Sequence, residues 1–291
     1  APQATEIVTG ASFDSLAANQ NESQENEYVL ENSKIKLTVS SKGGQIVSAQ
    51  IKDYKKFDGD SVFLFDRDAK MALVLKNQQG SVLTTDRLNF SAVQDGNPRE
   101  LTMRYAYGEQ QFVDFVYTLS EDDYFVKYDV QMVGMKGVLQ RDTEGIFQLS
   151  LSQKMRQLEK SVKNEQQYSG IRFKRATGEL DEMSESKDDK KEITEPAKWL
   201  AFKNQFFSSI LVADKEFLNM ELESRITEGN GYLKTYDASV YVPAKVDSER
   251  NRMSAGMKLY FGPLGYSHLK SYDEDKAEAD QLNFEKLVPL G

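Results

Sequence analysis

Two alternating segments joined by a pair of glycines constrain the fold of this chain more than any other feature. Ile35, Leu37 and Val39 alternate with polar residues, and residues 47–51 resume the same rhythm. The glycines at 43–44 lie between the two segments and supply the positive-φ freedom that a hairpin turn needs. One apolar and one polar face are typical of an antiparallel sheet that packs on one side. The two segments therefore predict a β-hairpin whose apolar face covers a core.

The same period of two recurs over much of the chain. Further strands are predicted around residues 101–107, 115–119, 126–132, 147–151, 232–236, 239–242 and 257–261. Many short strands with few helical stretches indicate an all-β sandwich or barrel. With 291 residues the chain can bury a substantial core, as one large β domain or about two ordinary ones.

Two polar segments depart from the strand rhythm. Residues 1–27 are polar and aperiodic, so we expect a flexible tether with no apolar face to bury. Residues 179–195 are densely charged and almost free of apolar side chains. This composition favours a solvated loop, and we expect the removal of residues 179–191 to be tolerated.

The end of the chain changes to a helical period. Pro263 suits the first position of a helix, and Tyr266, Leu269 and Tyr272 then recur at i, i+3 and i+6. The spacing predicts a C-terminal α-helix that packs these three side chains against the sandwich.

Charge and residue counts exclude several classes of function. A formal net charge of −9 disfavours a nucleic-acid partner, and it also disfavours attraction to an anionic lipid surface through charge. The absence of cysteine excludes thiol catalysis, disulfides and Cys-ligated metals. His268 is the only histidine, which excludes a His-based triad or a multi-His metal site and favours a helix-surface residue over a general base. We therefore expect no catalytic residue, metal or cofactor.

One acidic cluster suggests calcium at first sight. Asp58, Gly59 and Asp60 begin like an EF-hand loop, but Val62 and Phe63 stand where that loop needs an oxygen ligand and a glycine. The cluster is better interpreted as a turn.

Aromatic residues form one dense cluster, which contains Trp199, Phe202, Phe206 and Phe207. Alternating aromatics on strands usually belong to a core, so we interpret the cluster as packing first and as a contact surface second. A carbohydrate-binding platform remains an alternative, because exposed aromatic rings also suit sugars.

Four segments together resemble the large periplasmic domain of YidC-type membrane protein insertases. Residues 28–46 resemble its opening pattern "x-L-x-x-x-I-x-T-x-G-G", and residues 198–207 resemble its segment "W-x-A-x-x-x-x-Y-F". Residues 258–263 resemble its strand-to-helix junction "Y-x-G-P", and residues 282–285 resemble the stretch that enters the first membrane helix. The four segments occur in the family's order along almost the whole chain, and the composition suggests a Bacteroidetes-like source.

The resemblance implies a fold and a domain layout. Residues 28–262 would form a twisted antiparallel β-supersandwich of the galactose-mutarotase-like type. Residues 263–291 would form the C-terminal helix and the lead-in to the membrane core, and residues 1–27 would follow an N-terminal membrane helix that is absent from this chain. Enzymes of that fold use histidines with a carboxylate, and His268 alone cannot provide this chemistry.

The resemblance also implies a location and partners. The chain would be the non-catalytic periplasmic domain of an inner-membrane protein that supports insertion and folding of membrane proteins. Its partners would be the membrane core of the same polypeptide, secretion translocon subunits and nascent membrane proteins. The residues expected to serve packing or interaction are Trp199, Phe206, Phe207, Tyr266, Leu269 and Tyr272.

Two other classes stay open on the residues alone. The first is a secreted carbohydrate-binding or mutarotase-like protein, which the strand pattern and the aromatic content both allow. The second is a lipoprotein-like chaperone that holds unfolded chains in an apolar groove, for which an exposed apolar patch would be the sign.

Overall fold

The computed structural model describes residues 24–93, 96–139, 145–227 and 229–290. Most of the predicted tether lies outside these ranges, and the first strand begins at Glu27. The strands are β1 (Glu27–Glu31), β2 (Ile35–Ser40), β3 (Ile46–Lys55), β4 (Ser61–Asp66), β5 (Ala69–Lys76), β6 (Val82–Thr84), β7 (Ser91–Val93), β8 (Glu100–Gly108), β9 (Gln111–Leu119), β10 (Phe125–Val133), β11 (Ile146–Arg156), β12 (Gly170–Arg175), β13 (Leu180–Glu182), β14 (Asp189–Ile193), β15 (Ala197–Lys203), β16 (Phe207–Phe217), β17 (Asn219–Ile226), β18 (Tyr232–Pro243), β19 (Lys245–Asp247) and β20 (Arg252–Pro263).

Helices are short in the described residues. They are the α-helices α1 (Val162–Gln167) and α2 (Tyr266–Ser271) and the 3-10 helices Thr85–Arg87, Glu278–Asp280 and Phe284–Leu287. Pro263 is the last residue of β20 and α2 begins only at Tyr266, so the prediction that Pro263 opens the helix is wrong.

The strands form three antiparallel sheets. A ten-stranded sheet has the order β13-β12-β15-β16-β20-β10-β9-β8-β7, with β19 paired to β20. A six-stranded sheet has the order β14-β17-β18-β11-β5-β6, and a four-stranded sheet runs from β1 to β4 in sequence order. The inner faces of all three sheets contribute to one buried hydrophobic cluster. This arrangement confirms the predicted all-β sandwich.

The predicted strands are confirmed with one change of length. Residues 232–236 and 239–242 belong to a single strand, β18, because the alternation of buried and half-buried side chains continues through Asp237 and Ala238. Neither Gly nor Pro stands between the two predicted strands, and β18 runs unbroken from Tyr232 to Pro243.

The predicted hairpin of β2 and β3 is confirmed, and its turn requires glycine. Gly43 and Gly44 have φ values of 84° and 58°. A Cβ on Gly44 would lie 2.7 Å from Cγ of Phe90, which leaves no room for a side chain. The carbonyl of Gly44 also accepts a hydrogen bond of 2.7 Å from the buried Tyr117 hydroxyl. The turn is therefore packed into the core.

The charged segment 179–195 is not the continuous loop that its composition predicts. It contributes β13, which pairs with β12, and β14, which pairs with β17. Met183 and Ile193 are buried and anchor the segment, and the Glu185 carboxylate pairs with Arg172 at 2.5 Å. Edge strands pair through the backbone and expose most side chains, which explains the misleading composition.

Two buried lysines hold backbone carbonyls, and one of them, Lys234, ties this segment to the sandwich. The Lys234 ammonium donates to the carbonyls of Ser169 and Glu185, both at 2.6 Å. The Lys203 ammonium donates to the carbonyl of Tyr168. Burial lowers the pKa of each lysine to about 8, because the charged form loses solvation.

Candidate functional site

Residues 264–288, here called the C-terminal segment, fold back onto the ten-stranded sheet. The segment begins directly after β20 and contains α2 and the 3-10 helices Glu278–Asp280 and Phe284–Leu287. It contacts side chains on β15, β20 and the start of β10. This face of the sheet would otherwise leave a row of aromatic side chains in water.

Phe284 is the apolar centre of this contact. It is fully buried, and its ring centroid lies 5.5 Å from Trp199, 5.7 Å from Tyr260 and 6.3 Å from Phe125. Ring pairs at such distances contribute roughly 0.5–1.5 kcal/mol each beyond the burial of their area. Trp199 and Tyr260 are also fully buried. Phe284 therefore fills an aromatic pocket that the sheet provides.

Side chains of the sheet also hold the backbone of the segment. The Trp199 indole donates to the carbonyl of Leu282 at 2.8 Å. The Lys174 ammonium donates to the carbonyl of Gln281 at 2.6 Å and to Oδ1 of Asn283 at 2.7 Å. Burial lowers the pKa of Lys174, and Lys198 nearby lowers it further. These bonds fix the turn that precedes Phe284.

The segment also caps its own turn. Both carboxylate oxygens of Asp273 accept backbone hydrogen bonds, from Leu282 at 2.6 Å and from Asn283 at 2.8 Å. Asn283 has a φ of 58°, a left-handed conformation that Asn tolerates better than most residues. The carboxylate thus satisfies amides that the sharp turn leaves without a helical or strand partner.

A second contact fixes the end of α2. The Tyr272 hydroxyl donates to Oδ1 of Asp123 at 2.5 Å and accepts from Nε2 of His268 at 2.7 Å. The Tyr272 ring lies edge-on to Phe125 at 4.9 Å. Burial raises the pKa of Tyr272 well above its usual range, and the bond to Asp123 adds to this. The only histidine is thus part of a structural network at the surface.

The described residues form no metal-binding cluster, and the apolar cavity between the sheets does not suit a sugar. Among the described residues, no group of three or more His, Asp or Glu side chains is placed to hold a metal ion. A cavity of about 50 Å³ between the sheets is lined mainly by apolar side chains such as Phe65, Leu200 and Phe202. This volume accommodates a few water molecules and is too small for a sugar. Within the described ranges, no helix has the length and hydropathy needed to cross a membrane.

Comparison with known proteins gives the family. Residues 27–291 match the family described as the YidC periplasmic domain. The chain belongs to this family. It is 34% identical over 263 residues to the membrane protein insertase YidC of Parabacteroides distasonis, covering 90% of this chain and 41% of that protein. It is 34% identical over 285 residues to the YidC of Bacteroides fragilis strain YCH46, covering 97% of this chain and 45% of that protein. The chain thus spans less than half the length of these relatives.

Solved structures agree with the fold expected for the YidC periplasmic domain. A galactose mutarotase related enzyme from Lactobacillus acidophilus superposes with a TM-score of 0.50 at 11% identity, over 81% of this chain and 97% of that one. A galactose mutarotase-like protein from Lactobacillus casei gives a TM-score of 0.50 at 12% identity, over 81% and 100%. At such low identity the likeness shows the fold alone. The resemblance, the supersandwich fold and the location as a periplasmic domain of an inner-membrane insertase are all confirmed.

Three of the six residues singled out from the sequence meet at the C-terminal segment. Trp199 binds the segment, Leu269 is fully buried on α2, and Tyr272 bonds to Asp123. Tyr266 is 51% exposed, so the expectation that it packs on the sandwich is wrong. It is the first residue of a helix of only six residues, and positions i and i+6 lie about 120° apart around a helix axis.

The other two singled-out residues, Phe206 and Phe207, lie at the turn between β15 and β16. Phe207 is buried, and its ring lies edge-on to Tyr54 at 5.3 Å. Phe206 is 45% exposed. Of the two neighbouring rings at this turn, Phe207 therefore packs in the core and Phe206 faces the solvent.

Sequence reasoning missed the polar residues of the site. Lys174 and Asp273 look like ordinary surface charges, because each is followed directly by another charged residue. Phe284 appeared only within the family pattern at 282–285. A buried charge is recognisable only once its partners are known, and Lys174 and Asn283 are 109 positions apart.

Proposed function

We propose that this domain performs no chemistry of its own and acts as a rigid periplasmic support for the membrane core of the same insertase polypeptide. The observation that carries the proposal is the attachment of the C-terminal segment to the sandwich through Phe284, Trp199 and Lys174. A segment held by both ring packing and backbone hydrogen bonds has a fixed direction relative to the sheet. In the longer relatives, it would transmit that direction to the part of the protein in the membrane.

The wider role follows from the relatives. They are named membrane protein insertases, so the domain would support the insertion and folding of inner-membrane proteins. Secretion translocon subunits and nascent membrane proteins would be its further partners. The proposal assigns the domain a positioning role and leaves the insertion step to the membrane core.

The test replaces Phe284 by alanine in the full-length insertase that carries this domain. We expect reduced insertion of reporter membrane proteins in cells depleted of their own insertase, at an unchanged level of the variant. Val246→Ala is the matched control, because Val246 is 49% exposed and lies on β19, away from the segment. Full insertion by a variant whose segment is shown to be detached would refute the positioning role.

A further inference from the structure

Four aromatic side chains of the described residues are exposed to solvent. They are Tyr54, Phe57, Phe206 and Tyr266, with exposed fractions of 40%, 50%, 45% and 51%. Each stands at or beside the end of a strand or helix, so they project from separate turns. Half-exposed rings leave apolar area in water that an apolar surface could cover.

Contacts place three of these side chains at one end of the sandwich. The Tyr54 ring meets Phe207, the neighbour of Phe206, at 5.3 Å. The carbonyl of Phe206 accepts a hydrogen bond of 2.7 Å from Leu264, two residues before Tyr266. The end of β3, the turn between β15 and β16, and the start of α2 are therefore neighbours.

Phe57 joins the same end from the turn between β3 and β4. Its amide donates to the carbonyl of Leu158 at 3.0 Å, just before α1. Val162, the first residue of α1, adds an aliphatic side chain that is 38% exposed. We call Tyr54, Phe57, Phe206 and Tyr266 the aromatic end.

Two lysines near the turn between β3 and β4 are paired with carboxylates. Lys52 pairs with Glu31 at 2.6 Å, and Lys56 pairs with Asp58 at 2.9 Å. The whole chain carries a formal net charge of −9. Attraction of the aromatic end to an acidic surface is therefore weak. Any binding to a surface would be driven by the burial of its apolar area.

We propose that the aromatic end inserts its rings into the interfacial region of the lipid bilayer. The family is a periplasmic domain of an inner-membrane insertase, so a bilayer surface is always close. Aromatic side chains partition into the headgroup region of a bilayer. The ring leaves water there, and the hydroxyl of a tyrosine stays hydrated. Rings on separate turns suit a fluid, flat surface, whereas a peptide partner is usually held in a groove. This lipid contact goes beyond the positioning role and does not depend on it.

The first test measures binding of the 291-residue chain to vesicles. The probes are phosphatidylcholine vesicles and vesicles of phosphatidylethanolamine with phosphatidylglycerol, separated by flotation. We expect both kinds to bind, and binding to change little between low and physiological salt, because apolar burial drives it. Failure of the chain to float with either kind would overturn the proposal, as would binding only to the anionic vesicles at low salt.

Matched double variants locate the contact. Phe57→Ser with Phe206→Ser should lower the partition coefficient about tenfold, because two half-exposed rings are lost. The control is Val82→Ser with Val246→Ser, whose side chains are 52% and 49% exposed. Val246 pairs with Met253 near the start of β20, opposite to the aromatic end. Equal losses in both double variants would refute the assignment to this end.

A spectroscopic test separates lipid from protein as the occupant. Trp199 is the only native tryptophan and is buried, so it gives a constant background. Brominated lipids should quench a tryptophan introduced by Phe206→Trp and should not quench one introduced by Val246→Trp. A photo-crosslinker at position 206 that forms a protein adduct in cells, with no quenching by lipid, would show a protein partner and overturn the proposal.

Discussion

Phe284→Ala is the substitution that most directly probes the attachment of the C-terminal segment. The variant removes the ring that contacts Trp199, Tyr260 and Phe125 and leaves the backbone hydrogen bonds of Leu282 and Asn283 in place. The segment is expected to detach while the three sheets stay folded, since Phe284 lies outside the strands.

The magnitude follows from the complete burial of the side chain. Truncation of a buried Phe to Ala costs about 3–5 kcal/mol, from lost apolar burial and the cavity left behind. A loss of about 3 kcal/mol lowers the docking equilibrium of the segment by roughly a hundredfold. That loss is large enough to separate the release of the segment from the unfolding of the sandwich.

The assay uses Trp199 as an internal reporter, since it is the only tryptophan and lies beneath the segment. Urea titration is followed by tryptophan fluorescence for the segment and by far-UV circular dichroism for the sheets. In Phe284→Ala, the fluorescence transition should occur at lower urea than the dichroism transition. Leu290→Ala is the control, because Leu290 is 93% exposed and contributes no packing.

One result would refute this reasoning. If fluorescence and dichroism of Phe284→Ala change together, at the urea midpoint of the unmodified chain, Phe284 does not hold the segment. The attachment would then rest mainly on polar bonds, such as those of Trp199, Lys174 and Tyr272.

Three further predictions concern the sandwich. Gly44→Ala should lower the free energy of unfolding by about 1–3 kcal/mol more than Gly59→Ala, measured by urea titration, because both have positive φ but only Gly44 is packed against Phe90; equal effects would contradict this. Burial lowers the pKa of Lys234 to about 8, so between pH 8 and pH 10 the unfolded chain holds a proton that the folded chain releases, and rising pH favours folding. The difference in unfolding free energy between the unmodified chain and Lys234→Met should therefore shift in favour of the unmodified chain from pH 8 to pH 10, and a constant difference would count against it. Deletion of residues 179–191 removes the Glu185 carbonyl that Lys234 binds, which should lower the free energy of unfolding by about 3 kcal/mol and the melting temperature by roughly 6–12 °C. An unchanged melting temperature would support the interpretation of this segment as a dispensable loop.

The sequence predicts local features of this fold better than distant ones. Alternation places Ile35, Leu37 and Val39 on a buried face, and the structure buries all three. It cannot show that β10 pairs with β20, because Phe125 and Tyr260 are far apart in the chain and alternation carries no information about partners. The alternation within one strand thus predicts which of its faces is buried, but it does not predict which strands pair with it.

The candidate site shows the same limit more sharply. Trp199 stands out by its residue type, whereas Lys174 and Asp273 do not, since a charged side chain is normally exposed. Their burial follows from the return of the C-terminal segment to the sheet. Helical spacing likewise identified Leu269 and misplaced Tyr266, because the period cannot tell that α2 ends after six residues.

The short charged edge strands have a consequence for the surroundings of this domain. β13 offers three residues and β14 five, and both carry acidic or basic side chains along an edge of their sheets. An unpaired edge is a template on which a foreign extended chain can add a strand, and brevity and charge both oppose such addition. In the proposed role beside polypeptides that still lack their fold, these two edges would oppose co-aggregation with them.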